Sequence, residues 1–180
     1  MRFSETPIAG VVRVDLELLR DDRGHFARTF SAGDFAALGM DPHVSQCNTS
    51  YNDRAGTVRG LHFQAQPFGE AKLVRCTRGA IFDVAVDLRP SSASFRRWFG
   101  AELSADDGRM LFIPVDVAHG FQTLEDSSEV LYQMSHEYVP GAARGVRWDD
   151  PAFAIEWPDP PAGGRTISER DAAYPDYGAT

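Results

Sequence analysis

Four side chains near the middle of the sequence are of types that move protons or hold anions: His62, Lys72, His119 and Tyr132. By type they can act as a base, a fixed cation, a ligand contact and an acid. That set suits proton transfer next to a carbonyl, which needs a base, an acid on the opposite face and a cation or donor at the enolate oxygen. Each lies in a strand-like run. In Arg59-Gly60-Leu61-His62-Phe63-Gln64, strict period two puts Gly60, His62 and Gln64 on one face. Polar His62 between Gly and Gln suggests a cavity wall, although a strand histidine can also be a structural hydrogen-bonder. If Arg59 faces the same cavity, the strand must break register, and Gly60 is where it can. Lys72 alternates with Val74 and Cys76, and Tyr132 with Val130 and Met134. His119 follows Ile113-Pro114 and precedes Gly120, a tight start to a strand.

Lysine usage singles out one position. Seventeen of the eighteen basic residues are arginine, and Lys72 is the exception. A solitary ammonium on that background suggests a place where a planar guanidinium does not serve. Asp83 stands inside the apolar run 81–88, so it must be paired or hydrogen-bonded. Its partner is either a histidine or a structural donor, and the structural role is the one expected. A metal-bearing barrel oxygenase is a competing reading, with His62, Glu70 and His119 as ligands. The histidine pair such sites use is interrupted here, as His62-Phe63-Gln64. A binding module for sugars or nucleotides is the third reading, and it needs arginine and aromatic residues but no base–acid pair.

The elements that must position these groups are short strands. They are expected at 10–19, 43–50, 57–64, 71–77, 80–87, 97–103, 110–113, 118–123 and 129–136, separated by Gly, Pro, Asn and Asp turns. One helix is expected at 31–39, with Ser31 as its cap and Gly39 at its end. The pattern predicts an all-β sandwich or barrel. The length of 180 residues suits a single domain over 1–180, with 149–180 as a wrapping tail rich in Pro, Gly and Asp.

Charge and composition exclude several classes. A net charge of −8 gives no general attraction to nucleic acid or anionic membrane, so neither is expected as a partner. No run approaches the ~20 apolar residues of a membrane span, and Met1 to Pro7 shows no secretion signal. Two cysteines, Cys47 and Cys76, make no disulfide framework, which fits reduced thiols and a cytoplasmic location.

Taken in order, the motifs resemble the dTDP-4-dehydrorhamnose 3,5-epimerase family. They are Asp22-Arg23-Gly24, Gln46-Cys47-Asn48, Arg59 through Gln64, Ala71 through Cys76, Phe82 through Asp87, Ile113-Pro114, Ala118 through Phe121, Leu131-Tyr132, Ile155 through Pro158 and Ile167 through Asp171. The resemblance spans about residues 7 to 175. It implies a cupin-like jelly-roll sandwich without metal or other cofactor, assembled as a homodimer. It implies a nucleoside-diphosphate 4-keto-6-deoxyhexose as substrate, on the way to a deoxysugar. By the same resemblance His62 is the base, Asp171 its carboxylate partner, Tyr132 the acid and Lys72 the cation at the enolate. Arg23, Gln46, Asn48, Arg59, Lys72, His119, Tyr138 and Arg170 would contact the substrate. Residues 8–30 would reach the partner's site, as they do in that family.

The sequence departs from the family pattern at Arg28, Cys47, Arg144 and Arg170. These changes fall on groups expected near the nucleotide rather than on the acid–base set. Inversion at C3, at C5 or at both is left open, as is a keto-isomerase acting on another nucleotide sugar.

Overall fold

Short alternating runs form strands because one face of each can be buried while its backbone pairs with neighbours. The computed structural model describes residues 1–178. In chain order the strands are β1 (Arg2–Glu5), β2 (Val12–Asp15), β3 (Leu19–Asp21), β4 (Gly24–Phe26), β5 (Gln46–Asn52), β6 (Val58–Gln64), β7 (Lys72–Arg78), β8 (Ala80–Asp87), β9 (Trp98–Ser104), β10 (Arg109–Ile113), β11 (Val117–Thr123), β12 (Ser128–Met134) and β13 (Ala143–Gly145). Two short helices, α1 (Ala32–Ala37) and α2 (Glu169–Ala172), flank them.

The strands form a six-stranded sheet in the order β1-β2-β10-β7-β12-β5 and a five-stranded sheet in the order β13-β6-β11-β8-β9. Strands β3 and β4 make a separate hairpin. Neighbouring strands are antiparallel throughout both sheets. This is a cupin-like jelly-roll sandwich.

The core lies in three layers. Val74, Cys76, Leu111 and Val130 of the larger sheet meet Ile81, Ala85, Leu103 and Phe121 of the smaller one. Outside the larger sheet, Phe35 of α1 packs edge-on against Phe3 at 5.5 Å and Phe112 at 5.9 Å. Outside the smaller sheet, Leu61, Val84, Val86 and Ala118 are covered by Val146 and Phe153. Strand β8 is therefore covered on both faces, which is why it reads as an unbroken apolar run.

Several local expectations are corrected. The strand expected over 10–19 divides, because the chain leaves the sheet at Leu16, whose N–H donates to the Gly108 carbonyl at 3.2 Å. Ser31 stands at the helix N-cap but makes no side-chain capping bond. Strands β1, β4 and β13 were not anticipated. Cys76 is buried, and burial pushes its thiol up to about 11, while Cys47 is exposed; neither is paired. Among the described residues, no helix is long and apolar enough to cross a membrane.

Candidate active site

A cavity of about 290 Å³ opens between the two sheets, and both contribute side chains to it. From the larger sheet come Asn48 and Ser50 on β5, Lys72 on β7, and Tyr132 and Met134 on β12. From the smaller sheet come Arg59 and His62 on β6, His119 on β11 and Arg144 on β13. His62 and Tyr132 thus stand on opposite walls of one cavity.

Strand β6 breaks register at the glycine. His119 pairs with His62, but Phe121 pairs with Arg59, so β6 carries one extra residue there. Gly60 has φ +110, and a Cβ on it would lie 2.7 Å from both the Gly120 Cα and the His119 carbonyl oxygen. The bulge puts Arg59 and His62 on the same cavity despite their odd spacing. Arg59 reaches across to the other sheet, its Nε donating to Asn52 Oδ1 at 2.7 Å.

His62 is held by the C-terminal arm. Its Nε2 lies 2.8 Å from Oδ1 of Asp171, whose Oδ2 accepts the Gly60 N–H at 3.1 Å. Asp171 is buried on α2, and its own N–H donates to the N-cap Ser168 hydroxyl at 3.1 Å. Burial works to raise the Asp171 carboxyl. The bond to His62, the imidazole's charge and the Gly60 N–H outweigh it and hold the group below the ordinary carboxylate value. Behind His62 lies the Tyr174 ring, edge-on at 6.2 Å. Gly145 leaves the space this ring occupies, since a Cβ there would collide with it.

His119 has a carboxylate of its own. Its Nε2 lies 2.6 Å from Oδ1 of the buried Asp83. The structural role expected for Asp83 is corrected, because β8 and β11 pair in register and bring the two side chains together. The Tyr132 ring packs edge-on against His119 at 5.9 Å. Burial, reinforced by the Asp83 charge, pushes the Tyr132 hydroxyl well above the ordinary phenol value. The group is a neutral acid at physiological pH.

Lys72 is 7% exposed, which replaces the bland alternative of a solvated edge lysine. Its ammonium donates to the His62 carbonyl at 3.1 Å and pairs with Glu70 at 3.1 Å. Glu70 is thus committed to Lys72, Asp83 to His119 and Asp171 to His62. Among the described residues, no three His, Cys, Asp or Glu side chains come together as a metal-holding group, and His62, Glu70 and His119 do not form one.

Other expected contacts divide. Asn48, Tyr138 and Arg170 line the cavity. Gln46 does not line it, because its Oε1 accepts the Tyr138 N–H at 2.9 Å and so braces the rim. Arg23 is not brought to this cavity. It sits on the exposed β3–β4 hairpin, paired with Asp21 at 2.5 Å. The sequence offers Glu70 only as a metal ligand and offers no role for Tyr174. The signal that could have found the first is the closeness of Glu70 to Lys72, two residues before it at the entry to β7.

A model of the family described as dTDP-4-dehydrorhamnose 3,5-epimerase matches residues 5–178. A curated protein of that name from Sinorhizobium fredii is 42% identical over 175 residues, covering 97% of this chain and 89% of its own. The crystal structure of dTDP-4-dehydrorhamnose 3,5-epimerase from Elizabethkingia anophelis superposes with a TM-score of 0.94 at 32% identity, covering 98% of this chain and 96% of that one. A Legionella pneumophila epimerase, solved in complex with dTDP-4-keto-L-rhamnose, gives a TM-score of 0.90 at 33% identity over 96% of this chain and 90% of its own.

Proposed function

Because the chain belongs to the dTDP-4-dehydrorhamnose 3,5-epimerase family and is an isomerase, we propose that it inverts carbon centres of a nucleoside-diphosphate 4-keto-6-deoxyhexose through an enolate. The observation that carries this reading is the placement of His62 with its carboxylate on one wall of the cavity and Tyr132 on the other.

A C–H next to the C4 ketone is acidified because its carbanion is an enolate. With Nε2–H donating to Asp171, His62 keeps Nδ1 as the basic nitrogen and removes that proton. Asp171 stabilises the resulting imidazolium. Lys72 donates to the enolate oxygen, where negative charge develops. Tyr132 then returns a proton from the opposite face, so the centre is rebuilt with inverted configuration. The ketone is regenerated and no net redox change occurs. Arg59 and Arg170 bind the diphosphate, since guanidinium groups match phosphate oxygens. Asn48, His119 and Tyr138 contact the sugar and nucleoside.

The homodimer belongs to the same proposal. Arg23 lies outside this chain's cavity, on a hairpin whose Leu19 and Phe26 are 66% and 70% exposed. In a dimer this hairpin covers its apolar residues and extends Arg23 to the partner's substrate. We read residues 1–180 as one domain, of which 179 and 180 lie outside the described residues, with the arm from 149 joined to it through Asp171.

The test is solvent deuterium incorporation into dTDP-4-keto-6-deoxyglucose, followed by NMR. Label at C3 and C5 that disappears in His62→Ala supports the double epimerase. Label at one carbon makes the protein a single-centre epimerase. Absence of label with the wild type, over a range of nucleotide sugars, rejects the reading.

A further inference from the structure

The cavity holds an ion pair of which the reaction above uses only the lysine. Glu70 lies in the connection between β6 and β7, and its side chain is 3% exposed. Its Oε1 is 3.1 Å from the Lys72 ammonium. Its other oxygen, Oε2, is buried without a hydrogen-bond partner. Both residues line the cavity. A buried carboxylate with half its acceptor capacity unused is costly, so the pairing with Lys72 must offset much of its desolvation.

The backbone around this pair is fixed on both sides. The Ala71 N–H donates to the Ser135 hydroxyl at 2.8 Å, and the Ser135 N–H donates to the Ala71 carbonyl at 3.0 Å. Lys72 itself stands in register with Met134 on one neighbour and Ile113 on the other. The carboxylate therefore approaches Lys72 from an anchored position. An ammonium has three N–H groups and rotates readily about its terminal bond. One of those on Lys72 donates to the His62 carbonyl oxygen, and Glu70 Oε1 stands beside the ammonium as its ion-pair partner at 3.1 Å. These two fixed oxygens set the position of the ammonium and leave its remaining side for another acceptor.

We propose that Glu70 is a positioning residue for Lys72, setting the ammonium so that an N–H left free is presented to the oxygen of the substrate that gains negative charge. The inference rests on the enolate reading above. It separates two roles that a lone lysine would combine. Glu70 and the His62 carbonyl fix direction, and Lys72 supplies charge. It also links the cation to the base, because the carbonyl that Lys72 holds belongs to the residue whose imidazole takes the proton. Glu70 touches no reacting atom in this account. Its removal acts on turnover and not on nucleotide affinity.

The sequence provides a direct probe. Lys72 is the only lysine, so lysine-selective 15N labelling gives a single side-chain ammonium signal. Three measurements are made on the full chain: that signal without substrate, kcat and KM by deuterium incorporation, and dTDP affinity. Glu70→Ala is expected to displace or broaden the Lys72 signal and lower kcat at least tenfold, with KM and dTDP affinity within twofold. Glu70→Gln retains an acceptor at the same reach and is expected to recover kcat to within threefold of wild type. Should the alanine variant fail to fold, Glu70→Asp, one methylene shorter, takes its place with the same expected loss.

An unchanged Lys72 signal in Glu70→Ala, or its aspartate substitute, overturns the proposal. So does a kcat within twofold of wild type, or a loss confined to KM. Wild type that shows the coupled Lys72 signal but turns over no 4-keto sugar refutes the enolate role of this ammonium along with the reaction. A failure of the signal test in active enzyme refutes the Glu70 proposal alone.

Discussion

Asp83 Oδ1 lies 2.6 Å from His119 Nε2, a second carboxylate–histidine pair, whose imidazole lines the same cavity as His62 and Asp171. The two pairs differ in access. The His119 side chain is 5% exposed, whereas that of His62 is 41% exposed. The accessible imidazole is the one fit to meet a substrate carbon, and the buried one is fit to hold a fixed orientation beside Tyr132. Asp83→Asn is accordingly expected to weaken substrate binding and turnover while leaving the Asp171–His62 pair intact. Asp171→Asn is expected to lower kcat by about 10²–10⁴, the range for a positioned acid–base group. Parallel kinetics on the two variants check the contrast.

Tyr132→Phe separates proton removal from proton return. Its hydroxyl is the acid, and His62 stays in place with its carboxylate. Epimerisation is expected to fall by about 10²–10⁴. Exchange of the substrate proton with solvent, with retention of configuration, is expected to persist above the rate seen with His62→Ala. NMR of the recovered sugar in deuterated water reads both. Because burial raises the Tyr132 pKa, the acid is expected to stay protonated through the ordinary phenol value of about 10, so no alkaline loss of kcat below that pH is assigned to it.

Gly60→Ala tests the bulge. The added Cβ meets backbone atoms of His119 and Gly120, at a φ that L side chains rarely adopt. A loss of about 1–3 kcal/mol is expected from backbone strain of this kind. Turnover is expected to fall further than stability implies, because the same bulge aims Arg59 and His62 at one cavity. Thermal unfolding and kcat measured on the same sample separate the two effects.

Acid stability is expected to depend on Asp87. This carboxylate is fully buried and accepts bonds from Arg89 at 2.8 Å and from the Ser94 hydroxyl at 2.6 Å. Burial works to raise its pKa, and the bonds from Arg89, Ser92 and Ser94 prevail and hold it far below the ordinary value. A lowered folded pKa contributes stability that is present above the unfolded value, about 3.9, and lost as pH falls through the folded one. Asp87→Asn is expected to cost about 1.5–3 kcal/mol at pH 7, the range for losing hydrogen bonds to a charged group, because Arg89 keeps some contact with solvent. The gap from wild type is expected to narrow progressively below about pH 4. Denaturant unfolding across that pH range reads it directly.

Local alternation made the long strands and their turns legible. Gly60 marks the one place where Arg59 and His62 can be reconciled, since glycine alone tolerates the close approach. Relations between strands distant in sequence were not legible in that way. Asp83 reaches His119 only because β8 and β11 pair in a particular register, and nothing in either run specifies it. Strands β1, β4 and β13 escaped notice because three or four residues carry too little periodicity. Tyr132 could be offered as an acid by its type, whereas the assignment of Asp171 came from the family resemblance. The position of Arg23 outside the cavity is a property of a hairpin that packs apart from both sheets.

The tether between His62 and Asp171 has a consequence in time. The two residues are 109 positions apart, and the carboxylate is added after the imidazole. At roughly 5–20 residues per second, His62 is made about 5–20 s before its partner. A nascent chain can pair its sheets and enclose most of the cavity during that interval with its imidazole still unoriented. Competence therefore waits for the arm, and a chain halted before Ser168 would keep the strands that form the cavity but lack the carboxylate that orients its base.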